Sequence, residues 1–159
     1  MSALSANLDL PPVEQVGYVV RDLAATMKIY APFFGPFRRE PYEKVTGALY
    51  RGTPQDCELH IAYGKSGDLE IEFIQPVSGT GPHQEFLDQG REGIHHVRFR
   101  VEDCDAVITR LAAHGYGPIW YHDLGFGKFA YLEHESQNGV LLELLEMDDR
   151  DRPSEWETQ

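Results

Sequence analysis

Residues 13–31, VEQVGYVVRDLAATMKIYA, and residues 94–112, IHHVRFRVEDCDAVITRLA, decide the fold once they are laid over each other. At a shift of 81 positions Val16 meets Val97, Tyr18 meets Phe99, Val20 meets Val101, Asp22 meets Asp103, Ala25 meets Ala106 and Ala31 meets Ala112. Each stretch opens with alternating β-branched and aromatic residues, the pattern of a strand, and then places an aspartate where a helix needs its cap. A second shift, of 71, overlays two closing strands: LEIEFI at 69–74 meets VLLELL at 140–145. Self-similarity on this scale is the mark of one supersecondary unit used twice.

Working outward, further strands of the first half are expected at 45–51, 58–63 and 69–74. Gly52-Thr53-Pro54 and the run from Gly64 to Asp68 are the turn formers between them. The helical stretch LAATMKIYAPFF is expected to break near Pro32 and Gly35, because proline lacks the amide a helix interior requires. Residues 76–82 read as a loop, and HQEFLDQG as a short helix ending at Gly90. The second half repeats the order: a strand at 94–101, a helix capped by Asp103 and closed by Gly115, and strands at 118–121, 129–133 and 140–146. Each half is βαβββ. The expected fold class is therefore α+β: two βαβββ repeats forming a cupped mixed sheet with the helices on its outer face. The expected organisation is a polar leader at 1–12, one domain at 13–147 and a charged tail at 148–159. Within the domain the repeats cover about 13–76 and 94–147, joined by a loop and short helix at 77–93.

Strand parity then selects candidate site residues. Successive side chains of a strand point to opposite faces. Val16, Tyr18 and Val20 share one face; Val97, Phe99 and Val101 share its counterpart, and both faces should pack on the helices. Gln15 and His96 fall on the other face, as do Glu72, between Ile71 and Phe73, and Glu143, between Leu142 and Leu144. These four occupy equivalent positions in the two repeats. A carboxylate among large apolar neighbours is costly to bury unless it is paired or bound to a cation. One imidazole nitrogen and three oxygen-bearing side chains suit a divalent ion with room left for water or substrate.

Composition excludes several classes. The chain has 159 residues, enough for one domain with a real core at 42% hydrophobic content, and a formal charge of −12. A surplus of carboxylates repels phosphate backbones and anionic lipid, so neither nucleic acid nor membrane is an expected partner. No apolar run reaches the about 18 residues of a membrane span. The first ten residues lack the basic and apolar regions of a secretion signal, and two cysteines build no disulfide framework. A cytoplasmic location is expected.

At its four candidate ligands the chain resembles the vicinal oxygen chelate superfamily, also called the glyoxalase/bleomycin-resistance/dioxygenase fold, over about residues 13–147. The resemblance implies two βαβββ units cupped around one divalent metal, with Gln15, Glu72, His96 and Glu143 as ligands. Zn, Ni, Co, Mn, Mg and Fe(II) are all compatible. The segment IEFIQPVSGTGPHQEFLDQGREGIHHVRFRVEDCDAV and the ending GVLLELLE resemble methylmalonyl-CoA epimerases. Gln15 departs from that branch, which usually has His there. The set Gln, Glu, His, Glu is that of one glyoxalase I class, but Phe73-Ile74-Gln75-Pro76 stands where that class carries a Thr-His-Asn-Trp type stretch that helps hold glutathione.

The chemistry implied is proton abstraction beside a metal-chelated carbonyl, as in an epimerase or isomerase. Glu143 is the first choice for ligand and base, and Glu72 is its symmetry partner. The alternatives are a glyoxalase I-type lactoylglutathione lyase and a metal-free small-molecule binding or resistance protein on the same fold. The resemblance to the epimerase branch implies a further glutamate from the middle strands, and Glu43 lies near that region, but a surface position is the expected one for it. His95 has the parity of the helix-packed face, and Arg98 shares the parity of His96, so Arg98 could meet a substrate anion or pair with Glu70 or Glu72. Arg98, Trp120, Tyr121, Phe126 and Tyr131 are the candidate substrate-binding residues. Arg91, Arg98 and Lys128 are candidates for the phosphates of an acyl-CoA, and the resemblance also implies a homodimer.

Overall fold

The computed structural model describes residues 8–136 and 139–147, with the backbone alone at 40–42. The expected tail at 148–159 and the first seven residues of the leader lie outside them. Eleven elements follow one another: β1 (Gln15–Val19), α1 (Leu23–Phe34), β2 (Arg38–Tyr50), β3 (Thr53–Ser66), β4 (Leu69–Gly79), α2 (Pro82–Asp88), β5 (Gly93–Arg100), α3 (Cys104–Ala112), β6 (Tyr116–Asp123), β7 (Gly127–His134) and β8 (Leu141–Met147). The strands run β1-β4-β3-β2-β6-β7-β8-β5 and close on themselves into a barrel-like cup. It is the expected mixed sheet: β1 pairs β4 and β5 pairs β8 in parallel, and every other neighbour is antiparallel.

The two halves share their local bonds as well as their pattern. Asp22 Oδ1 accepts from Ala25 N at 2.9 Å and Asp103 Oδ1 from Ala106 N at 2.9 Å, so both aspartates cap their helices. The amide of Leu23, first in α1, is accepted by Gln75 of β4. The amide of Cys104, first in α3, is accepted by Glu146 at the end of β8. Val20 N meets Ile74 O and Val101 N meets Leu145 O, both at 2.9 Å. Each pair is related by the shifts of 81 and 71, so each helix is docked on its closing strand by one device used twice.

The helices cover the outer face. Leu23 of α1 packs with Val20, Ala62, Ile71 and Phe73, with Val16, Tyr18 and Tyr30 at the edge. Cys104, Val107 and Leu111 of α3 pack with Val101, Ala130, Leu132 and Leu144. Leu8 and Leu10, expected in a polar leader, add to this second cluster. A third cluster fills the cup from α2: Phe86 and Leu87 meet Val19, Leu59, Ile61, Ile74, Trp120 and Tyr131.

Several boundaries differ from expectation. Helix α1 runs through Pro32 and stops at Gly35, whose amide reaches Ala31 O. Pro32 falls in the last turn, on the exposed side, where a missing amide interrupts little. Strands β2 and β3 are longer than their apolar cores because they pair with each other along most of their length, and Pro54 sits at the start of β3. Strand β4 continues to Gly79 through a bulge facing Glu58 and Leu59, so most of the expected loop at 76–82 is strand. Among the described residues no helix is long and apolar enough to cross a membrane.

Candidate metal centre

The inner face of the cup gathers the four candidates from the four strands nearest the β1–β5 junction. Gln15 of β1 lies opposite Glu70 of β4 on one side and Arg98 of β5 on the other. Gly17 lies opposite Glu72 and His96 in the same two ladders. That glycine is required by packing: a Cβ there would stand 2.0 Å from His96 Cε1 and 2.2 Å from Nε2. The imidazole occupies the space a side chain would have filled.

Gln15 and His96 are fully buried, Glu72 is 6% exposed and Glu143 9% exposed. His96 Nε2 lies 3.1 Å from Glu72 Oε2, 3.2 Å from Glu143 Oε2 and 3.3 Å from Gln15 Oε1. One ligand atom from each of Glu72, His96 and Glu143 falls within 4.8 Å of the others. Two buried carboxylates aimed at one ring nitrogen need positive charge between them. Burial alone would push His96 down, but the Glu143 and Glu72 carboxylates outweigh it and raise its pKa to about 9. With no cation present, the imidazolium supplies that charge.

The donor set fits a divalent ion on a second ground, the tautomer of His96. Its Nδ1 lies 3.0 Å from His95 Nδ1. His95 also makes a hydrogen bond to the Pro82 backbone. With a cation bound and His96 neutral, a proton on His96 Nδ1 donated to His95 Nδ1 would leave the lone pair of His96 Nε2 facing the cluster. Glu143 Oε2 has no well-directed hydrogen bond although it is buried. A cation accepting both lone pairs would satisfy the two groups together.

A cavity of about 170 Å³ opens over this cluster. Its walls include Glu43, Tyr63, Glu72, Arg98 and Glu143, so among the described residues three carboxylates face one guanidinium. Trp120, Phe129, Tyr131 and Leu124 add apolar surface. Tyr63 pairs with Glu72 across β3–β4, and Tyr131 with Glu143 across β7–β8, so each carboxylate has a tyrosine beside it on the next strand. Burial first, and then the Glu72 carboxylate, raises Tyr63 above the usual phenol range; burial and then Glu143 do the same for Tyr131. Both therefore keep their O–H. Tyr131 OH lies 3.0 Å from His83 Nε2 behind the centre, where burial and the nearby His96 lower His83 to about 3.

Of the five candidate substrate-binding residues, Arg98, Trp120 and Tyr131 line the cavity. Tyr121 does not: it packs in the α3 layer and its hydroxyl donates to Asp105. Phe126 is 56% exposed on the β6–β7 turn, and Leu124 from that turn lines the cavity in its place. Arg98 pairs with Glu14 at 2.8 Å and with Glu70 at 3.4 Å, so its partner is Glu70 rather than Glu72. Lys128 pairs with Asp105 and Arg91 lies 4.5 Å over the Phe86 ring, both away from the cavity. His95 is buried as expected, but it packs on His83 and Phe86 of α2 and touches His96 directly. Tyr63 and Leu124 line the cavity without having been among the expected site residues, and Glu43, exposed as expected, stands on its wall as well.

A mixed sheet of two βαβββ units curled around inward carboxylates and an imidazole defines the vicinal oxygen chelate class. The match to a known family agrees: residues 14–131 fit the Glyoxalase/Bleomycin resistance protein/Dioxygenase superfamily, and the chain belongs to it. Its solved structural neighbours include methylmalonyl-CoA epimerases. The Mycobacterium tuberculosis enzyme superposes with a TM-score of 0.63 at 21% identity, covering 94% of this chain and 95% of that one. A variant of the Streptomyces coelicolor enzyme in complex with 2-nitronate-propionyl-CoA gives 0.60 at 20% identity, over 88% and 96% of the two chains. In sequence, YqjC of Bacillus subtilis (strain 168), an uncharacterized protein, is 28% identical over 116 residues, covering 68% of this chain and 81% of its own.

Proposed function

We propose that this chain is a metal-dependent enzyme that moves a proton on the carbon next to a chelated carbonyl, an epimerase or isomerase of the methylmalonyl-CoA epimerase kind. The observation that carries the reading is the convergence of Glu72, His96 and Glu143, with the Gln15 oxygen, beneath one cavity. The neighbours that superpose over most of the chain support it, one of them holding an acyl-CoA analogue. A divalent ion held by Gln15, Glu72, His96 and Glu143 would supply Lewis-acid stabilisation of the charge that develops on the carbonyl oxygen.

The chain's own groups then handle the proton. The Glu143 carboxylate, on the cavity wall, takes it from one face of the substrate carbon with the oxygen the ion does not hold. Glu43, on β2 across the cup, serves the other face, and two groups on opposite walls are what inversion of a centre requires. Tyr63, kept protonated, donates to the substrate rather than competing for its proton, while Tyr131, whose hydroxyl is engaged by His83, offers the cavity its ring face. Arg98, the one guanidinium on the wall among the described residues, binds an anionic substrate group. Trp120 and Phe129 exclude water around the reacting carbon.

Gln15 favours a second reading, a glyoxalase I-type lyase acting on a thiol adduct, because that ligand set begins with glutamine. One experiment separates the two. Purified protein loaded with Co(II) or Ni(II) is incubated in D2O with methylmalonyl-CoA and, separately, with the hemithioacetal of methylglyoxal and glutathione. Solvent deuterium at the α-carbon of the acyl-CoA supports the epimerase reading; lactoylglutathione supports the lyase. Glu143→Gln should lower the reaction by at least about 10²-fold with the fold unchanged by circular dichroism. Full activity in that variant would remove Glu143 from the chemistry.

A further inference from the structure

We infer that Glu70 is a positioning residue for the ion, because it decides which end of the Gln15 amide faces the ligand cluster. The inference rests on reading that cluster as a divalent-ion site, and it concerns a feature peculiar to a glutamine ligand. A glutamine ends in an oxygen that accepts and an NH2 that donates, and only the oxygen can bind a cation. The backbone of β1 does not choose between them, since both ends have nearly the same shape. A histidine at this position would present a ring nitrogen and have no such choice to make.

The choice is made from behind. Gln15 Nε2 donates to Glu70 Oε1 at 2.6 Å. A carboxylate offers acceptors only, so the amide must turn its NH2 toward Glu70. The oxygen is thereby turned the other way and stands 3.3 Å from His96 Nε2, among the ligands. In the reverse orientation two oxygens would face each other at Glu70, and two N–H groups would point at the place a cation needs. Gln15 is fully buried, so water cannot repair either fault.

Glu70 is itself held. Arg98 lies 3.4 Å from its Oε1 and is anchored in turn by Glu14 at 2.8 Å. The two inward carboxylates of β4 thus have different duties: Glu72 reaches His96, and Glu70 reaches the back of Gln15. Support of a ligand from outside the coordination shell is commonly worth about 10–100-fold in metal affinity.

Co(II) titrated into the purified chain tests this by calorimetry and by the visible absorption of the bound ion, with thermal melts to check the fold. Glu70→Gln frees the amide to turn and should weaken Co(II) binding about tenfold at an unchanged melting midpoint. Glu70→Asp keeps the charge but draws it back from the amide, and should weaken binding too. In a Gln15→His background, where there is no amide to orient, Glu70→Gln should cost less than about threefold. Parent-like affinity in both Glu70 variants overturns the inference. So does an equal loss in the Gln15→His background, which is the signature of a plain charge effect. A parent chain that takes up no Co(II) overturns the ion reading and this inference together.

Discussion

Gly17 marks how little spare volume the centre has. Its missing side chain is the space in which the His96 ring lies, and that ring is packed against Tyr131 at a centroid distance of 4.8 Å on another side. Gly17→Ala should therefore act as an overpacking substitution, costing about 1–3 kcal/mol, and should displace the ring that offers Nε2 to the cluster. Urea unfolding measures the first effect and Co(II) calorimetry the second; an alanine variant that matched the parent in both would contradict this packing. At this scale the sequence was informative where parity sufficed. Gln15, Glu72, His96 and Glu143 could be placed on one face by counting along single strands. Tyr63 and Glu43 could not, because their place depends on register between strands. The register of Tyr63 could have been counted from the Gly67-Asp68 turn, which sets Ser66 opposite Leu69 and hence Tyr63 opposite Glu72. Glu43 lies between two register shifts of the β2–β3 ladder, so a count from the Arg51-Gly52 turn loses register before reaching it.

Among the elements, the helices were the most legible and the long hairpins the least. Asp22 and Asp103 announce their helices because a side-chain oxygen meeting an orphan amide is a local event. The further bond from each helix start to Gln75 or Glu146 is a tertiary one, visible only when the closing strand is in place. Asp103→Ala removes the cap of α3 and should lower stability by about 1 kcal/mol, with Cys104 N still held by Glu146. A melting midpoint equal to that of the parent would show that the cap at Asp103 contributes nothing. Strands β2 and β3 exceed their expected lengths because mutual pairing extends a strand into polar sequence that carries no apolar alternation of its own. The same reason hid the extension of β4 beyond Pro76, where a bulge accommodates the proline.

For the molecule as a whole, the repeat was the feature that organised everything else, and the structure adds how the copies are joined. Each copy alone is an open four-strand sheet, β1-β4-β3-β2 or β6-β7-β8-β5, and two junctions close them into the cup. These junctions are unequal. Strands β1 and β5 are joined by five rungs, through the glutamine and histidine of the centre. Strands β2 and β6 are joined by two, Leu49 with Tyr121 and Tyr50 with Trp120, followed by the single bond from Arg51 N to Ile119 O. The molecule is therefore a clasp with a stout spine and a slender catch. Breathing motions should concentrate at the catch, since fewer rungs must part there. In deuterated buffer the amides along β2–β6 should label well before those along β1–β5, by mass spectrometry of peptides spanning each; equal protection would mean the two junctions part together. An occupant too broad for the mouth of the vessel would thus gain entry by springing the catch, while the spine keeps the ligands in register.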